Sequence, residues 1–177
     1  MGHDNEKKEK NEKMLSSPLL TELLINGGFE AGTLSPWTNL GPNNADVTTD
    51  SPHSGTFVAD LPRRSAIQQI VSKGLAPGRV YRLSGSLSSA GDLQPESTTV
   101  VTLRFIDKNQ NILQEFNKSF PRNLPLAADG NYREFNILAQ APFGTVGAIV
   151  IIATDNDGAT GSSTVVDDFS LVQENGI

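Results

Sequence analysis

Three carboxylates beside glycine turns are the side chains whose spacing suggests a shared site. Glu30 ends the segment Asn26–Glu30, and Asp167 and Asp168 lie in the segment Val165–Leu171 near the other end of the chain. If the opening and closing strands of one domain meet, these carboxylates meet too. Carboxylates in such positions accept hydrogen bonds from backbone amides and cap turns. Strand alternation points Asp167 and Asp168 to opposite faces, so only one should reach a shared site unless a bulge intervenes.

The same residues offer little for catalysis. Glycoside hydrolysis needs two carboxyl groups on either side of a cleft, which neighbours on one strand do not provide. A Ser-His-Asp arrangement would have to use His53, in a turn, or His3, near the start of the chain. No phosphate-binding or dinucleotide-binding loop follows a strand and opens a helix. We therefore expect a protein that is not an enzyme.

Composition predicts one all-β domain. A length of 177 residues fits a single domain, and 16 Gly and 10 Pro are typical of many short strands joined by turns. The chain has no cysteine, which excludes disulfides and cysteine-ligated metal sites. A formal net charge of −6 argues against nucleic acid or an anionic membrane as a partner.

The first 22 residues differ from the rest of the chain. They are rich in charge, which predicts a disordered or helical tail before a single β-sandwich domain over residues 23–177. No apolar stretch follows a basic start, so we expect no signal peptide. We expect the protein to be made in the cytoplasm and then deposited on a spore or cell surface by a route without a signal peptide.

Alternation with a period of two predicts strands through most of the body. The predicted strands are Ala45–Thr49, Gly55–Leu61, Ala66–Ser72, Val80–Ser88, Thr98–Asp107, Ile112–Phe116, Tyr132–Ala139, Gly147–Ala153 and Ser163–Val172. Thr98–Asp107 and Ile112–Phe116 form a predicted hairpin, and Gly147–Ala153, apolar on both faces, is typical of a central strand. The pattern predicts a two-sheet antiparallel β-sandwich of jelly-roll type, with a Greek-key barrel as the alternative.

A ligand-binding face needs a few well-placed polar groups and often an aromatic ring on which the ligand can stack. The chain has one Trp and two Tyr. We expect Trp37 to close the end of the sandwich, Tyr81 to face the core, and Tyr132 to be exposed at a loop end. The candidate ligand contacts are Gln69, Arg82 and Arg104 on a concave sheet face, where Ser84 is a further polar group, and Tyr132 at its loop end.

Several short motifs in a fixed order resemble one family. They are Asn26–Trp37, Ser54-Gly55, the alternating sets Phe57/Ala59/Leu61 and Ile67/Gln69/Val71, Gly78 with Tyr81, and Val166–Leu171. Together they resemble the galactose-binding-like jelly-roll family of carbohydrate-binding modules over residues 23–173. The resemblance is greatest to the N-terminal domain that precedes collagen-like triplet repeats in Firmicutes surface and spore proteins.

This resemblance implies a structural Ca²⁺ ion beside the terminal motifs. Its side-chain ligands would be Glu30 and either Asp168 or Asp167, with loop carbonyls completing the six to eight oxygens that Ca²⁺ takes. The interpretation that these carboxylates only cap turns stays open.

Two functions follow from the resemblance. The first is a non-catalytic structural or assembly module of a spore or surface layer, with a surface-layer protein or further copies of the chain in a homo-oligomer as partners. The alternative is a carbohydrate-binding module that recognises a glycan on the concave sheet face.

Overall fold

The computed structural model describes residues 20–90, 97–155 and 163–174. The predicted tail, residues 1–22, lies outside the described residues except for 20–22. No helix in the described ranges is long and apolar enough to cross a membrane. The strands are β1 (Thr38–Asn39), β2 (Asp46–Thr48), β3 (Val58–Pro62), β4 (Ala66–Val71), β5 (Val80–Ala90), β6 (Thr99–Ile106), β7 (Ile112–Phe120), β8 (Arg133–Gln140), β9 (Gly147–Thr154) and β10 (Ser163–Gln173), and a 3-10 turn spans Ala127–Asp129.

The strands form two antiparallel sheets of five strands each. Sheet I has the order β1-β4-β9-β6-β7, and sheet II has the order β2-β3-β10-β5-β8. The predicted hairpin is β6–β7, and the predicted central strand is β9, in the middle of sheet I. The all-β, two-sheet antiparallel sandwich is therefore confirmed.

The core lies between the sheets, where alternate side chains of each strand point inward. On β5, Tyr81, Leu83 and Leu87 are fully buried, as their spacing predicts. Trp37 is also buried and packs edge-on against Phe169 of β10, with ring centroids 6.1 Å apart. Because both Trp37 and Tyr81 belong to the core, neither ring is available for a ligand to stack on.

The two terminal motifs meet as expected. Leu23 N donates to Leu171 O, and Phe169 N donates to Gly27 O, each at 2.9 Å. A Cβ at Gly27 would lie only 1.8 Å from the Phe169 carbonyl oxygen. Only glycine allows this approach of two backbones, which explains the glycine in the first motif.

The segment before β1 is a series of turns and not the opening strand that we expected. Within the described residues its ladder contact is an isolated bridge between Glu22 and Val172. Asn26 and Phe29 have φ of 55° and 57°, which takes the chain out of the extended conformation. The Asn26 amide stabilises the resulting loop, because it donates to two carbonyl oxygens farther along the chain at 2.8 and 3.0 Å.

A β-bulge interrupts β10 directly after Asp167. Asp167 pairs with Ser86 of β5, whereas Ser170 pairs with Ser84, so β10 has one more residue than β5 over this interval. Asp168 lies in this interval and has φ of 53°. A bulge breaks strand alternation, so the two aspartates are not restricted to opposite faces.

Candidate functional site

The three carboxylates singled out in the sequence all hold one loop, residues 51–57, which leads into β3. Asp167 Oδ2 accepts hydrogen bonds from the backbone N–H groups of His53 and Ser54 at 3.0 and 3.1 Å. Glu30 Oε1 accepts from two N–H groups at the end of the same loop, both at 3.0 Å. These contacts are the ones that the turn-capping interpretation predicts.

Whereas Asp167 contacts the loop backbone, Asp168 contacts two side chains of the loop. Its Oδ2 lies 2.6 Å from His53 Nδ1, and Ser54 Oγ donates to its Oδ1 at 2.7 Å. The expectation that only one of the two aspartates reaches a shared site is therefore corrected. The bulge is the physical reason, because it turns Asp168 toward the loop that Asp167 also holds.

Asp167 is the buried member of the pair. Burial raises the pKa of its carboxyl to about 6, although hydrogen bonds from the N–H groups of Ser54, Asp168 and His53 act to lower it. The charge of Asp168 contributes to the increase. Burial also raises the pKa of the Tyr132 hydroxyl, and the charges of the two aspartates add to that effect. Negative charge is thus concentrated beside loop 51–57.

Two of the three predicted calcium ligands share one space, beside Gly28. A Cβ on Gly28 would lie 3.5 Å from Asp168 Oδ1 and 3.7 Å from Asp167 Oδ1. The Glu30 carboxylate points instead to the end of loop 51–57. In the described ranges no group of three or more His, Cys, Asp or Glu side chains could hold a metal ion. Since carboxylate oxygens suit Ca²⁺, the side chains that fit it here are Asp167 and Asp168, with Glu30 outside the set.

A polar groove of about 480 Å³ lies on the outer face of sheet II, between β5, β8 and loop 51–57. Since Tyr81, Leu83 and Leu87 point into the core, the alternate residues Arg82, Ser84 and Ser86 of β5 are on its outer face. The cross-strand register places Ser84 beside Asn136 and Ser86 beside Glu134. We call this feature the β5–β8 groove, and its polar lining is Arg82, Ser84, Ser86, Glu134 and Asn136, bordered by His53 and Asp168.

The groove retains free hydrogen-bonding groups. Glu134 and Asn136 are exposed, and their side chains make no hydrogen bond to the described part of the chain. Arg82 Nε donates to Glu174. A guanidinium carries five N–H donors, so Arg82 can contact a ligand while this ion pair is kept.

The structure distributes the four predicted ligand contacts over different surfaces. Arg82 lines the β5–β8 groove. Tyr132 lies next to it. Its ring centroid is 4.8 Å from that of His53, and its hydroxyl donates to Ser51 O at 2.6 Å. Tyr132 thus positions loop 51–57 and is only half exposed.

Arg104 and Gln69 lie on sheet I, away from the groove. Arg104 Nε is 2.5 Å from Glu115 Oε2 on the outer face of that sheet. Gln69 is 4% exposed and forms two hydrogen bonds with the backbone of Ile25, at 2.7 and 2.8 Å. It points inward because it shares the inward alternation of Ile67 on β4. Gln69 therefore attaches the N-terminal segment to sheet I and presents no polar group to an exposed face.

Phe143 is an exposed aromatic residue that we did not predict as part of a site. Its side chain is 96% exposed, and no other aromatic residue is among the exposed large hydrophobics of the described chain. A second groove of about 470 Å³, here called the Phe143 groove, lies beside it and includes Gln114, Phe116 and Gln140. The usable signal was the sequence Pro142-Phe143-Gly144, since a turn between two strands places its central side chain outside both sheets.

Sequence comparison relates the chain to carbohydrate-binding proteins. A sequence model of the carbohydrate-binding domain family matches residues 21–117, more than half of the chain. Keratan-sulfate endo-1,4-beta-galactosidase of Sphingobacterium multivorum is 34% identical over 71 residues, which are 39% of this chain and 17% of that enzyme. The match therefore spans less than a fifth of the length of this curated relative.

Solved structures show the same fold. The CBM22-1 xylan-binding domain of Paenibacillus barcinonensis Xyn10C has a TM-score of 0.65 at 15% identity, and the match covers 92% of this chain and 100% of that one. TmCBM61, solved in complex with beta-1,4-galactotriose, has a TM-score of 0.60 at 20% identity, with 87% and 99% covered. These similarities confirm the predicted jelly-roll sandwich of carbohydrate-binding-module type.

Proposed function

The chain belongs to the family of carbohydrate-binding domains, and from this premise we propose that it binds a glycan, without catalysis, in the β5–β8 groove. One observation carries the location: Glu134 and Asn136 present free hydrogen-bonding groups beside Arg82, on two adjacent strands. Site residues on strands are held more rigidly than residues on loops.

The polar groups in this groove match the surface of a sugar. Each sugar hydroxyl both donates and accepts hydrogen bonds, and here Asn136 can do both, Glu134 accepts and Arg82 donates. The register of β5 and β8 adds a serine hydroxyl beside each of the two β8 residues. Because the pairing of β5 with β8 fixes the backbone positions of this array before binding, little backbone entropy is lost when a glycan binds.

We propose a neutral, β-linked galactose polymer as the ligand. Two similar proteins support the β-1,4-linked galactose unit, since one is named keratan-sulfate endo-1,4-beta-galactosidase and the other was solved with beta-1,4-galactotriose. Keratan sulfate is a sulfated polymer, so the choice of a neutral ligand rests on the charges around the groove and on the second protein alone. The charges in and around the groove agree with it. His53 contacts Asp168, Arg82 pairs with Glu174, and Glu134 adds a negative charge, so there is no positive excess for an anionic glycan.

This proposal reverses the order of the two functions that the sequence predicted. The structural module of a Firmicutes surface layer came first and glycan binding second, whereas the family match supports the second. The relationship to collagen-repeat proteins, the surface-layer partner and the homo-oligomer stay predictions. Deposition on a spore or cell surface is likewise still a prediction.

We also propose that Asp167 and Asp168 hold a structural Ca²⁺ ion in the space beside Gly28. The ion would supply positive charge between two adjacent carboxylates. Both carboxylates hold loop 51–57, which borders the groove. The proposed role of the ion is therefore to stabilise this loop.

Two arginines provide a matched pair for testing the location of the glycan site. Arg82 and Arg104 each pair with a glutamate, and their side chains are 38% and 33% exposed, but they lie on different sheets. Arg82→Ala should weaken binding to β-1,4-galactan about tenfold or more, because a hydrogen bond from a charged group contributes about 1.5–3 kcal/mol. Arg104→Ala should leave the affinity unchanged, and titration calorimetry measures both.

The outcomes separate the location from the function. If Arg104→Ala abolishes binding while Arg82→Ala does not, the glycan site lies on sheet I. If neither galactan nor xylan in the gel slows the migration of the unaltered protein in affinity electrophoresis, glycan binding itself is contradicted.

A further inference from the structure

Phe143 and its groove lie where the two sheets end side by side. β7 is the last strand of sheet I and β8 the last strand of sheet II, and the groove takes residues from both. We propose that Phe143 is a stacking platform for one pyranose ring, and that Gln114 and Gln140 bind the hydroxyl groups of that ring. This second glycan contact rests on the proposed function and extends it to a surface that the β5–β8 groove does not include.

The exposure of Phe143 is the first observation. The other aromatic residues of the described chain are buried or half-buried, as expected from the free energy gained when a ring leaves water. A single exposed apolar side chain is normal on a protein surface. Phe143 therefore needs a second observation, which its groove supplies.

The groove combines an apolar ring with amide groups. Gln140 Nε2 donates to Gly78 O at 3.0 Å, which orients the amide and leaves its oxygen and second N–H available. Gln114 is exposed, and its side chain makes no hydrogen bond to the described residues. A pyranose ring has an apolar C–H face and a rim of hydroxyls, so it can stack on an aromatic ring while amides bind its rim.

The turn that carries Phe143 is held firmly. Thr145 Oγ1 donates to Pro142 O at 2.8 Å across the turn. At its start, Ala141 N donates to Arg79 O, and Gly78 N donates to Ala141 O, both at 2.8 Å. These bonds connect the β8–β9 turn to the β4–β5 turn, so the backbone that carries the ring is positioned before a ligand arrives and little backbone entropy is lost on binding.

A second copy of this chain is the competing occupant. Exposed Leu113 and Val146 belong to the same end of the sandwich, and Leu113 Cδ1 lies 3.8 Å from the position of a Cβ on Gly144. An apolar patch alone would suit a protein contact. The two glutamine amides in the groove favour a sugar. Measurement of the oligomeric state tests whether a second copy of the chain binds there instead.

The experiment follows backbone amide NMR signals while β-1,4-galactotriose or xylohexaose is added to about 10 mM, which detects millimolar affinity. We expect shifts at Gln140 and Gly144. Phe143→Leu, which keeps apolar volume but removes the ring, should weaken this contact at least about fivefold, whereas Phe143→Trp should keep it. Leu40→Ala is the matched control, because it removes an exposed apolar side chain from another surface.

Each outcome bears on this inference separately from the proposed function. Shifts confined to Ser86 and Asn136, unaltered by Phe143→Leu, would support the β5–β8 groove and overturn the Phe143 contact. Shifts confined to Gln140 and Gly144 would support the Phe143 contact and move the glycan site away from the β5–β8 groove. Shifts at neither groove would overturn both. A change of oligomeric state in Phe143→Leu, seen by light scattering without a change in sugar shifts, would assign Phe143 to a second copy.

Discussion

At the residue scale, the carboxylates of Asp167 and Asp168 face one loop, and hydrogen bonds stabilise both of them. Asp167 accepts three backbone N–H groups, from His53, Ser54 and Asp168. Asp168 is bound by the His53 ring and the Ser54 hydroxyl. A carboxylate oxygen can accept more than one bond. The pair therefore has the capacity to coordinate a cation while it still holds the loop.

Calcium should stabilise the folded protein through this pair. With about 10 mM Ca²⁺ and a dissociation constant of about 1 mM, typical of weak sites, binding adds about 1.4 kcal/mol. For a chain of this length that corresponds to an increase in Tm of about 3–5 °C, which calorimetry can measure against a chelator. Gly28→Ala is the test variant, because its Cβ would meet both aspartates at ordinary contact distances and fill the space between them. Gly28→Ala should fold but lose the response to Ca²⁺.

Glu30→Gln serves as the control for this prediction. Glu30 supports the far end of loop 51–57, so the substitution should lower Tm and leave the calcium response in place. Equal melting with Ca²⁺ and with chelator in the unaltered protein would contradict the calcium site. A response that survives in Gly28→Ala would show that the ion binds elsewhere.

At the element scale, the pairing of β2 with β3 places like charges opposite each other. Asp46 lies opposite Asp60 in the register. Asp60 Oδ1 is buried and has no hydrogen-bond partner among the described residues. Burial raises the pKa of Asp60, the Ser163 side chain lowers it by a hydrogen bond, and the charges of Asp50 and Asp46 raise it further. The folded state thus binds the Asp60 proton more tightly than the unfolded chain does.

The raised pKa of Asp60 makes the stability of the folded protein depend on pH. The stabilising contribution of protonated Asp60 is complete below its ordinary pKa of 3.8 and is lost as the pH rises through the raised folded-state value. Asp60→Asn carries no charge at any pH, so it should be more stable than the unaltered protein at neutral pH, by about 2–4 °C in Tm. The difference should shrink as the pH approaches 3.8. Melting curves over this range measure it, with exposed Asp129→Asn as the control.

A constant difference across the pH range would contradict this account of Asp60. So would an Asp60→Asn variant that is less stable at neutral pH, since burial of the charge would then not be the dominant cost.

Regular strands could be predicted from the sequence because alternation depends only on residue order. The long strand predicted at Val80–Ser88 is observed at Val80–Ala90, and the predicted central strand differs by one residue at its end. The bulge at Asp168 could not be predicted, since its positive φ depends on the contacts with loop 51–57. Gln69 was misleading for a related reason, because a polar residue can face inward when a backbone such as that of Ile25 satisfies it.

In the site, too, features that depend on residue order could be predicted, and features that depend on tertiary contacts could not. Arg82 could be placed on an outward strand face from alternation alone. The groove around it could not, because it requires the pairing of β5 with β8. The turn sequence Pro142-Phe143-Gly144 could have indicated that Phe143 is exposed, but the groove beside it could not be predicted, because it depends on how the β8–β9 turn packs against the β4–β5 turn.

At the scale of the whole molecule, charge distinguishes between classes of glycan. The formal net charge of −6 creates a field that repels polyanions. Near the β5–β8 groove, Arg82 pairs with Glu174, His53 contacts the Asp168 carboxylate, and Glu134 adds a further negative charge. A neutral polymer meets no long-range penalty at this surface, whereas a sulfated polymer does.

The salt dependence of glycan binding should therefore be small. Between about 50 and 500 mM salt, affinity for neutral β-1,4-galactan should change less than about twofold, because hydrogen bonds to neutral hydroxyls are little affected by ionic screening. Keratan sulfate, whose sulfates add negative charge, should bind at least about tenfold more weakly at low salt and recover part of this difference at high salt, since screening reduces the repulsion. Titration calorimetry with both polymers at both salt concentrations measures these effects. Tighter binding of the sulfated polymer, with an affinity that falls steeply as salt is added, would contradict the neutral ligand and require a positively charged surface outside the β5–β8 groove.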